Sequence, residues 1–154
     1  MISNFDDHFN KLIKKVGNIK NKAKVILDYA HTPHALKTLL TNIKDDFPLS
    51  KVSLVFGCGG NRDKYKRSMM GLIAREYCDN IYLTDDNPRL ENPQLIRNQI
   101  KKGLKLKNFF EIPSRAKAIS AAVKNLKSGD VLIIAGKGQE NYQESKKKIF
   151  FYDK

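Results

Sequence analysis

Short apolar runs alternate with longer amphipathic segments along this chain. Residues 25–28, Val52–Phe56 and 81–84 have the length and the apolar, partly β-branched content of buried strands. The segments between them carry apolar residues at helical spacing. This alternation is typical of βαβ units, so it predicts an α/β fold with a Rossmann-like, mostly parallel sheet flanked by helices.

Four helices are predicted between and after these strands. Thr32 can cap the first with its hydroxyl, and Pro33 suits the first helical position. The core face of this helix then consists of Ala35, Leu36, Leu39, Leu40 and Ile43. The other helices are expected at 66–77, from Asn92-Pro93 to near Gly103, and from Ser114 through Leu126.

The second half of the chain adds further strands. Residues 109–112 can form a short one, and Val131–Ala135, the most apolar, is predicted to be central and buried on both faces. Residues 149–152 can form a last strand, at an edge. Residues 1–23 are basic and weakly patterned, and are expected to be a helix, a linker or a weakly patterned segment.

The charge is strongly positive. The 154 residues include 29 Lys and Arg against 16 Asp and Glu, a formal net charge of +13. Such a field attracts phosphate-rich partners. However, the lysine runs are not interleaved with aromatic residues as in RNA-binding proteins. We therefore favour a solvated surface over a nucleic-acid interface.

The composition also predicts the cellular compartment of the protein. No run of about 18 apolar residues occurs, so a membrane span is not expected. The first residues contain acids early and lack the apolar stretch of a secretory signal. Cys58 and Cys78 do not form a CxxC pair, which favours reduced thiols. These features predict a cytoplasmic protein.

Four polar clusters follow predicted strands, at 28–31, 57–62, 85–89 and 136–140. Ligands collect beyond the carboxyl ends of strands in open α/β sheets, so the four together predict a binding site. Taken singly, each cluster could be a plain turn, and a lone His is usually structural.

The common catalytic motifs are not matched. The glycines at 57–60 lack the third glycine of a dinucleotide fingerprint, and Gly136-Lys137-Gly138 lacks the spacing and the Ser/Thr of a P-loop. The cysteines have no nearby His pair for zinc, and no nucleophile elbow is present. We assign no catalytic residue and no metal ligand.

Five ordered motifs carry a family resemblance: Asp-Tyr-Ala-His-Thr-Pro (28–33), Phe-Gly-Cys-Gly-Gly-Asn-Arg-Asp-Lys (56–64), Lys-Arg-Ser-Met-Met-Gly (66–71), Thr-Asp-Asp-Asn-Pro-Arg (84–89) and Ala-Gly-Lys-Gly-Gln-Glu (135–140). In order and spacing they resemble the C-terminal domain of the Mur ligase family, and within it the ligases that add diaminopimelate. The resemblance covers residues 24–153.

The resemblance implies a role in peptidoglycan precursor synthesis. Residues 24–154 would be the mobile domain of an ATP-dependent ligase that adds meso-diaminopimelate to UDP-N-acetylmuramoyl-L-alanyl-D-glutamate through an acyl phosphate. The N-terminal UDP-binding domain and the central ATPase domain would be absent, and with them the P-loop and the Mg²⁺ ligands. The chain alone would then be inactive, hold no cofactor tightly and be a monomer.

The resemblance also implies which residues bind diaminopimelate. Arg89 would grip the distal carboxylate with a forked pair of hydrogen bonds, and Arg62 would contact the same substrate. Glu140 and the Gly136 carbonyl would accept from the distal ammonium. The remaining residues of the predicted set orient the loop or the substrate: Asp86, Asn87 and Pro88. Lysine lacks the distal carboxylate, so we expect a preference of about 10⁴-fold or more for diaminopimelate.

Residues 28–31 would face ATP in the family. Asp28 and His31 are candidates for contacts to its ribose or phosphates, with Tyr29 nearby. Alternatively, Asp28 caps the next helix and His31 fills a loop. Lys64 and Lys66 could approach phosphates or be solvated, and they are left unassigned.

The chain departs from the family pattern, and other functions remain open. Gln139 stands where the family has His, and Val16-Gly17-Asn18 stands where it has a Gly-Arg pair. Within the class, the alternatives are a lysine-adding or other Mur-type ligase and a folylpolyglutamate synthetase. Outside it, they are a stand-alone amino-acid or nucleotide binding module and a basic nucleic-acid binder.

Overall fold

Five parallel strands form the sheet of this protein, in a computed structural model that describes residues 22–105, 107–138, 142–143 and 149–150. The spatial order of the strands is β1-β5-β2-β3-β4. In chain order they are β1 Lys24–Asp28, β2 Val52–Phe56, β3 Asn80–Leu83, β4 Phe110–Glu111 and β5 Val131–Ala135. The parallel pairing confirms the predicted α/β class.

Four helices connect the strands: α1 Pro33–Asp46, α2 Tyr65–Tyr77, α3 Pro93–Leu104 and α4 Arg115–Lys124. The predicted helix starts at Thr32, Asn92 and Ser114 are confirmed. The Thr32 hydroxyl accepts from the Ala35 amide, and the side chains of Asn92 and Ser114 cap α3 and α4 in the same way. Leu126, predicted within the last helix, lies beyond its end.

The buried residues fall into two layers, one on each face of the sheet. α1, α2 and α3 pack on one face, where Leu40 and Ile100 are fully buried against residues such as Leu54. α4 packs on the other face through Ala118 and Ala122. Alternate residues of β1, β2, β3 and β5 supply both layers, as the pleat of a strand requires.

Close contact between α2 and α3 depends on two glycines. A Cβ at Gly71 would collide with the carbonyl oxygen of Ile100, and one at Gly103 would collide with that of Ser68. The two helix backbones therefore meet without side chains between them.

One strand prediction is confirmed and one needs correction. Every residue of β5 is buried, as predicted, and β5 is an interior strand with β1 on one side and β2 on the other. The predicted last strand is Ile149–Phe150 (β7), and it does not lie at an edge of the main sheet. It pairs antiparallel with Tyr142–Gln143 (β6) because a nearby partner can be reached through a short connection. Across the parts of the chain described above, no helix has the length and apolar content to cross a bilayer.

Candidate functional site

The loops after β1, β5, β2 and β3 meet at one edge of the sheet because these strands are parallel neighbours. They enclose a cavity of about 510 Å³, a size common for small-molecule sites. Its lining residues come from all four loops and from the start of α1 and α2: Tyr29, His31, Thr32, Pro33, Gly57, Cys58, Gly59, Arg62, Asp63, Lys66, Asp86, Asn87, Arg89 and Gly136.

Glycines let the loop after β2 touch the loop after β3. A Cβ at Gly57 would collide with the Thr84 carbonyl oxygen, and one at Gly60 with the Pro88 carbonyl oxygen. The Gly60 amide donates to the Asn87 carbonyl at 2.7 Å. The glycines therefore have a steric role in building the cavity wall.

Arg62 and Arg89 both lie close to Gly59. A Cβ placed on Gly59 would be 2.8 Å from Arg89 Nη1 and 3.7 Å from Arg62 Cγ. Arg89 has a positive φ of 51°, and its Nη1 donates to the Gly60 carbonyl at 3.0 Å. The structure thus brings both predicted arginines to one wall of the cavity.

A buried lysine lies next to Asp86 and Asn87, in the loop after β3. Lys137 is fully buried, its Nζ donates to Asn87 Oδ1 at 2.6 Å, and it lies 3.5 Å from Asp86 Oδ1. Because the Asn87 oxygen accepts from Lys137, the orientation of that amide is fixed. Sequence reasoning gave Lys137 no role, since a lysine between two glycines looks like part of an exposed turn. Its signals were its place soon after the most apolar strand and within the motif at 135–140.

The neighbouring acid, Asp85, has a different role. Its carboxylate forms an ion pair with Arg97, which also donates to Glu111 at 2.9 Å. Burial raises the pKa of Asp85, and the hydrogen bond and charge of Arg97 oppose that shift. Asp85 therefore anchors the loop on α3, whereas Asp86 lines the cavity.

The segment after β1 also lines the cavity. The Tyr29 and His31 rings meet edge to face with centroids 4.9 Å apart, and the Tyr29 side chain is half exposed. Lys66 Nζ donates to the His31 carbonyl at 2.9 Å and also lines the cavity. Lys66, left unassigned above, is thus a cationic residue of the site that sequence reasoning passed over.

Asp28 does not cap α1, since Thr32 does. Its Oδ1 accepts from the Ala30 amide at 2.7 Å, and its carbonyl accepts from the amides of Gly136 and Gly138. It ties the loops after β1 and β5 together and is not among the cavity-lining residues. Contact between Asp28 and ATP remains a prediction.

Cys58 lines the cavity but is poorly suited to act as a nucleophile. Its Sγ contacts Met70 Sδ at 3.7 Å, and burial raises the pKa of the thiol to about 12. A thiol with such a pKa stays protonated near neutral pH. The polar chemistry of the cavity therefore comes from its cations, carboxylates and amides.

The structure brings seven of the ten predicted site residues to the cavity wall: Tyr29, His31, Arg62, Asp86, Asn87, Arg89 and Gly136. Besides Asp28, Pro88 lies off the wall; it is buried, and its carbonyl accepts from the Glu91 amide at 3.0 Å. Glu140 lies outside the described residues, as do Gln139 and residues 16–18. A search of the described side chains finds no group of three or more His, Cys, Asp or Glu that could hold a metal ion.

Comparison with known proteins identifies a family domain. Residues 13–138 match the model of the Mur ligase, glutamate ligase domain. The UDP-N-acetylmuramoyl-L-alanyl-D-glutamate–2,6-diaminopimelate ligase of Rickettsia conorii is 48% identical over 146 residues, which cover 90% of this chain and 30% of the relative. The enzyme of the same name from Chlorobium phaeobacteroides is 49% identical over 143 residues, covering 92% and 28%. The chain therefore spans less than a third of the length of these relatives.

Solved structures agree with this relationship. One of a UDP-N-acetylmuramoyl-L-alanyl-D-glutamate–2,6-diaminopimelate ligase has a TM-score of 0.81 and 37% identity, over 88% of this chain and 28% of that one. A bifunctional folylpolyglutamate synthase/dihydrofolate synthase from Yersinia pestis has a TM-score of 0.57 at 24% identity, over 81% and 28%. At that identity, the second comparison shows a shared fold alone.

Proposed function

The chain belongs to the Mur ligase family, and from that membership we propose that it is the amino-acid-binding C-terminal domain of an ATP-dependent ligase. The ligase adds meso-diaminopimelate to UDP-N-acetylmuramoyl-L-alanyl-D-glutamate. Residues 24–154 form this domain, and other domains bind the UDP end and carry the ATPase machinery. The domain acts as a monomer in the cytoplasm, where its free cysteine thiols stay reduced.

One observation carries the proposal: Arg62 and Arg89 line a single cavity together with Asp86 and Asn87. The distal end of meso-diaminopimelate carries a carboxylate and an ammonium on one carbon. Two guanidinium groups suit the carboxylate because each offers a planar fork of donors. Asp86 and the Gly136 carbonyl are acceptors for the ammonium, and Glu140 is proposed to join them.

The cavity also explains discrimination against lysine. Lysine has no distal carboxylate, so its binding would forgo the charge-assisted bonds from Arg89. Two bonds of about 1.5–3 kcal/mol each correspond to roughly 10²- to 10⁴-fold in affinity. Arg89 is therefore the residue proposed to decide which amino acid binds.

The part of the cavity lined by Tyr29, His31 and Lys66 fits the nucleotide. Lys66 and His31 offer positive charge or donors to phosphates, and the half-exposed Tyr29 ring offers a flat surface. These residues would hold ATP when the domain closes over the central domain. ATP supplies the phosphoryl group that activates the dipeptide carboxylate, and Mg²⁺ would be held by the central domain.

Calorimetric titration of the 154-residue chain with meso-diaminopimelate and with L-lysine tests the proposal. We expect meso-diaminopimelate to bind at least 100-fold more tightly, and Arg89→Met to abolish most of that preference. Arg75→Met is the matched control, since Arg75 lies near the end of α2 and outside the cavity. Equal or tighter binding of lysine, or no heat with millimolar meso-diaminopimelate, would contradict the proposal.

A further inference from the structure

Arg67, in the first turn of α2, is completely buried and makes four hydrogen bonds. Its Nη1 donates to Glu91 Oε2 at 2.9 Å and to Gln99 Oε1 at 2.6 Å. Its Nη2 donates to Glu91 Oε1 at 2.9 Å and to the Gly59 carbonyl at 2.8 Å. One guanidinium therefore joins the loop after β2, the loop after β3 and α3.

Glu91 extends this connection to the residues beside both binding arginines. Its Oε1 also accepts from the Asn61 amide at 2.7 Å, and Asn61 Oδ1 accepts from the Leu90 amide at 3.0 Å. Asn61 directly precedes Arg62, and Leu90 directly follows Arg89. The Arg67–Glu91 pair and its hydrogen bonds thus flank both arginines.

Both loops hold backbone conformations that need external support. Asn61 and Arg89 each have a φ of 51°, in the left-handed region. For a residue such as Arg89 this costs about 1–2 kcal/mol. Such strain persists only where the surrounding structure imposes it, and it concentrates at ligand sites.

A buried ion pair is by itself weak evidence for stability, because removing two charges from water is costly. The contacts of Arg67 suggest a different reason for burying it. We propose that Arg67 is a positioning residue, which acts through Glu91 to hold Arg62 and Arg89 in binding geometry before the amino acid arrives. This inference rests on the proposed function, because it assumes that these arginines bind the ligand.

Preorganisation of this kind raises affinity by reducing the ordering needed on binding. Loss of the pair should therefore weaken binding of meso-diaminopimelate by tenfold or more while the fold remains. It should also speed amide hydrogen exchange at Gly60, Asn61 and Leu90, whose hydrogen bonds belong to the two loops.

The test compares Arg67→Met and Glu91→Gln with the wild-type chain, in affinity for meso-diaminopimelate and in amide exchange measured by NMR. The Glu91 side chain is 19% exposed, whereas that of Arg67 is fully buried, so the Glu91 variant carries the test if Arg67→Met does not fold. The control is Leu40→Ala, which removes a fully buried side chain in α1. It should lower the melting temperature but leave affinity and loop exchange within twofold at temperatures where the protein is folded.

A tenfold loss of affinity with faster exchange confined to the two loops supports the inference. Unchanged loop exchange in a folded variant overturns it, and so does an equal loss of affinity in Leu40→Ala. If the wild-type chain itself binds no meso-diaminopimelate, the proposed function fails instead. The exchange measurement then still decides whether Arg67 positions the loops.

Discussion

Replacing Lys137 with Met should be among the most damaging single changes near the cavity. The Lys137 side chain is fully buried, and Asp86, at 3.5 Å, has a side chain only 10% exposed. Met preserves most of the volume but removes the ammonium charge and the bond to Asn87 Oδ1. The Asp86 carboxylate would then be buried without its cation.

The expected loss of unfolding free energy follows from this burial. Breaking a buried pair by removing one partner costs about 3–5 kcal/mol, a large share of the roughly 5–15 kcal/mol that stabilises a domain. For a protein of this length, such a loss lowers the melting temperature by roughly 6–20 °C. The double variant Asp86→Asn/Lys137→Met should recover part of the loss, because it removes the buried carboxylate charge together with the Lys137 ammonium.

Urea unfolding followed by circular dichroism measures these differences. Lys44→Met is the matched control: Lys44 lies 3.6 Å from Asp79, and the two side chains are 38% and 42% exposed. Such an exposed pair contributes less than about 1 kcal/mol. A Lys137→Met variant that loses no more stability than Lys44→Met would refute the reasoning.

Three further predictions concern pH, helix packing and thiol reactivity. The hydrogen bonds from Arg67 hold the pKa of Glu91 at about 2, below its usual 4.5. The ionised Glu91 carboxylate therefore stabilises the folded protein fully above pH 4.5, and this contribution is lost as the pH falls toward 2. Urea titrations should therefore show the stability gap between wild type and Glu91→Gln shrinking over that window, and a constant gap would contradict this. Gly103→Ala should lower the free energy of unfolding by about 1–3 kcal/mol, because the added methyl would clash with the Ser68 carbonyl oxygen. Thermal unfolding measures this loss, and a loss as small as that of Lys102→Ala, at an exposed position, would count against the packing argument. Burial raises the pKa of both Cys58 and Cys78 to about 12, so few of these thiols are ionised at pH 8. A disulfide reagent at that pH should therefore react with the native protein much more slowly than with the urea-unfolded chain, and equal rates would contradict this prediction.

Local patterning predicted the sheet and helices closely. β2 and β5 have the predicted bounds, because turn residues limit each apolar run: β2 ends before Gly57, and β5 starts after Gly129-Asp130 and ends before Gly136. The caps at Thr32, Asn92 and Ser114 were predictable because each needs only a hydroxyl or amide a few residues before its donor.

The missed features depend on contacts distant in sequence. Lys66 and Arg67 look like two surface cations at the start of a helix, yet the partner of Arg67 is Glu91, 24 residues away. Lys137 finds Asn87 across 50 residues. Burial of a cation depends on partners that local periodicity does not reveal, so the positioning groups of this site were the least predictable from sequence.

The central claim is that meso-diaminopimelate binds in the cavity at the carboxyl ends of the strands. A ¹H–¹⁵N NMR titration of the chain with meso-diaminopimelate tests it most directly. The amides of Arg62, Asn87, Arg89 and Gly136 should shift together with one dissociation constant, while Gly129, in the turn before β5, should not move. Saturable shifts centred elsewhere, with these four amides unchanged, would contradict the account.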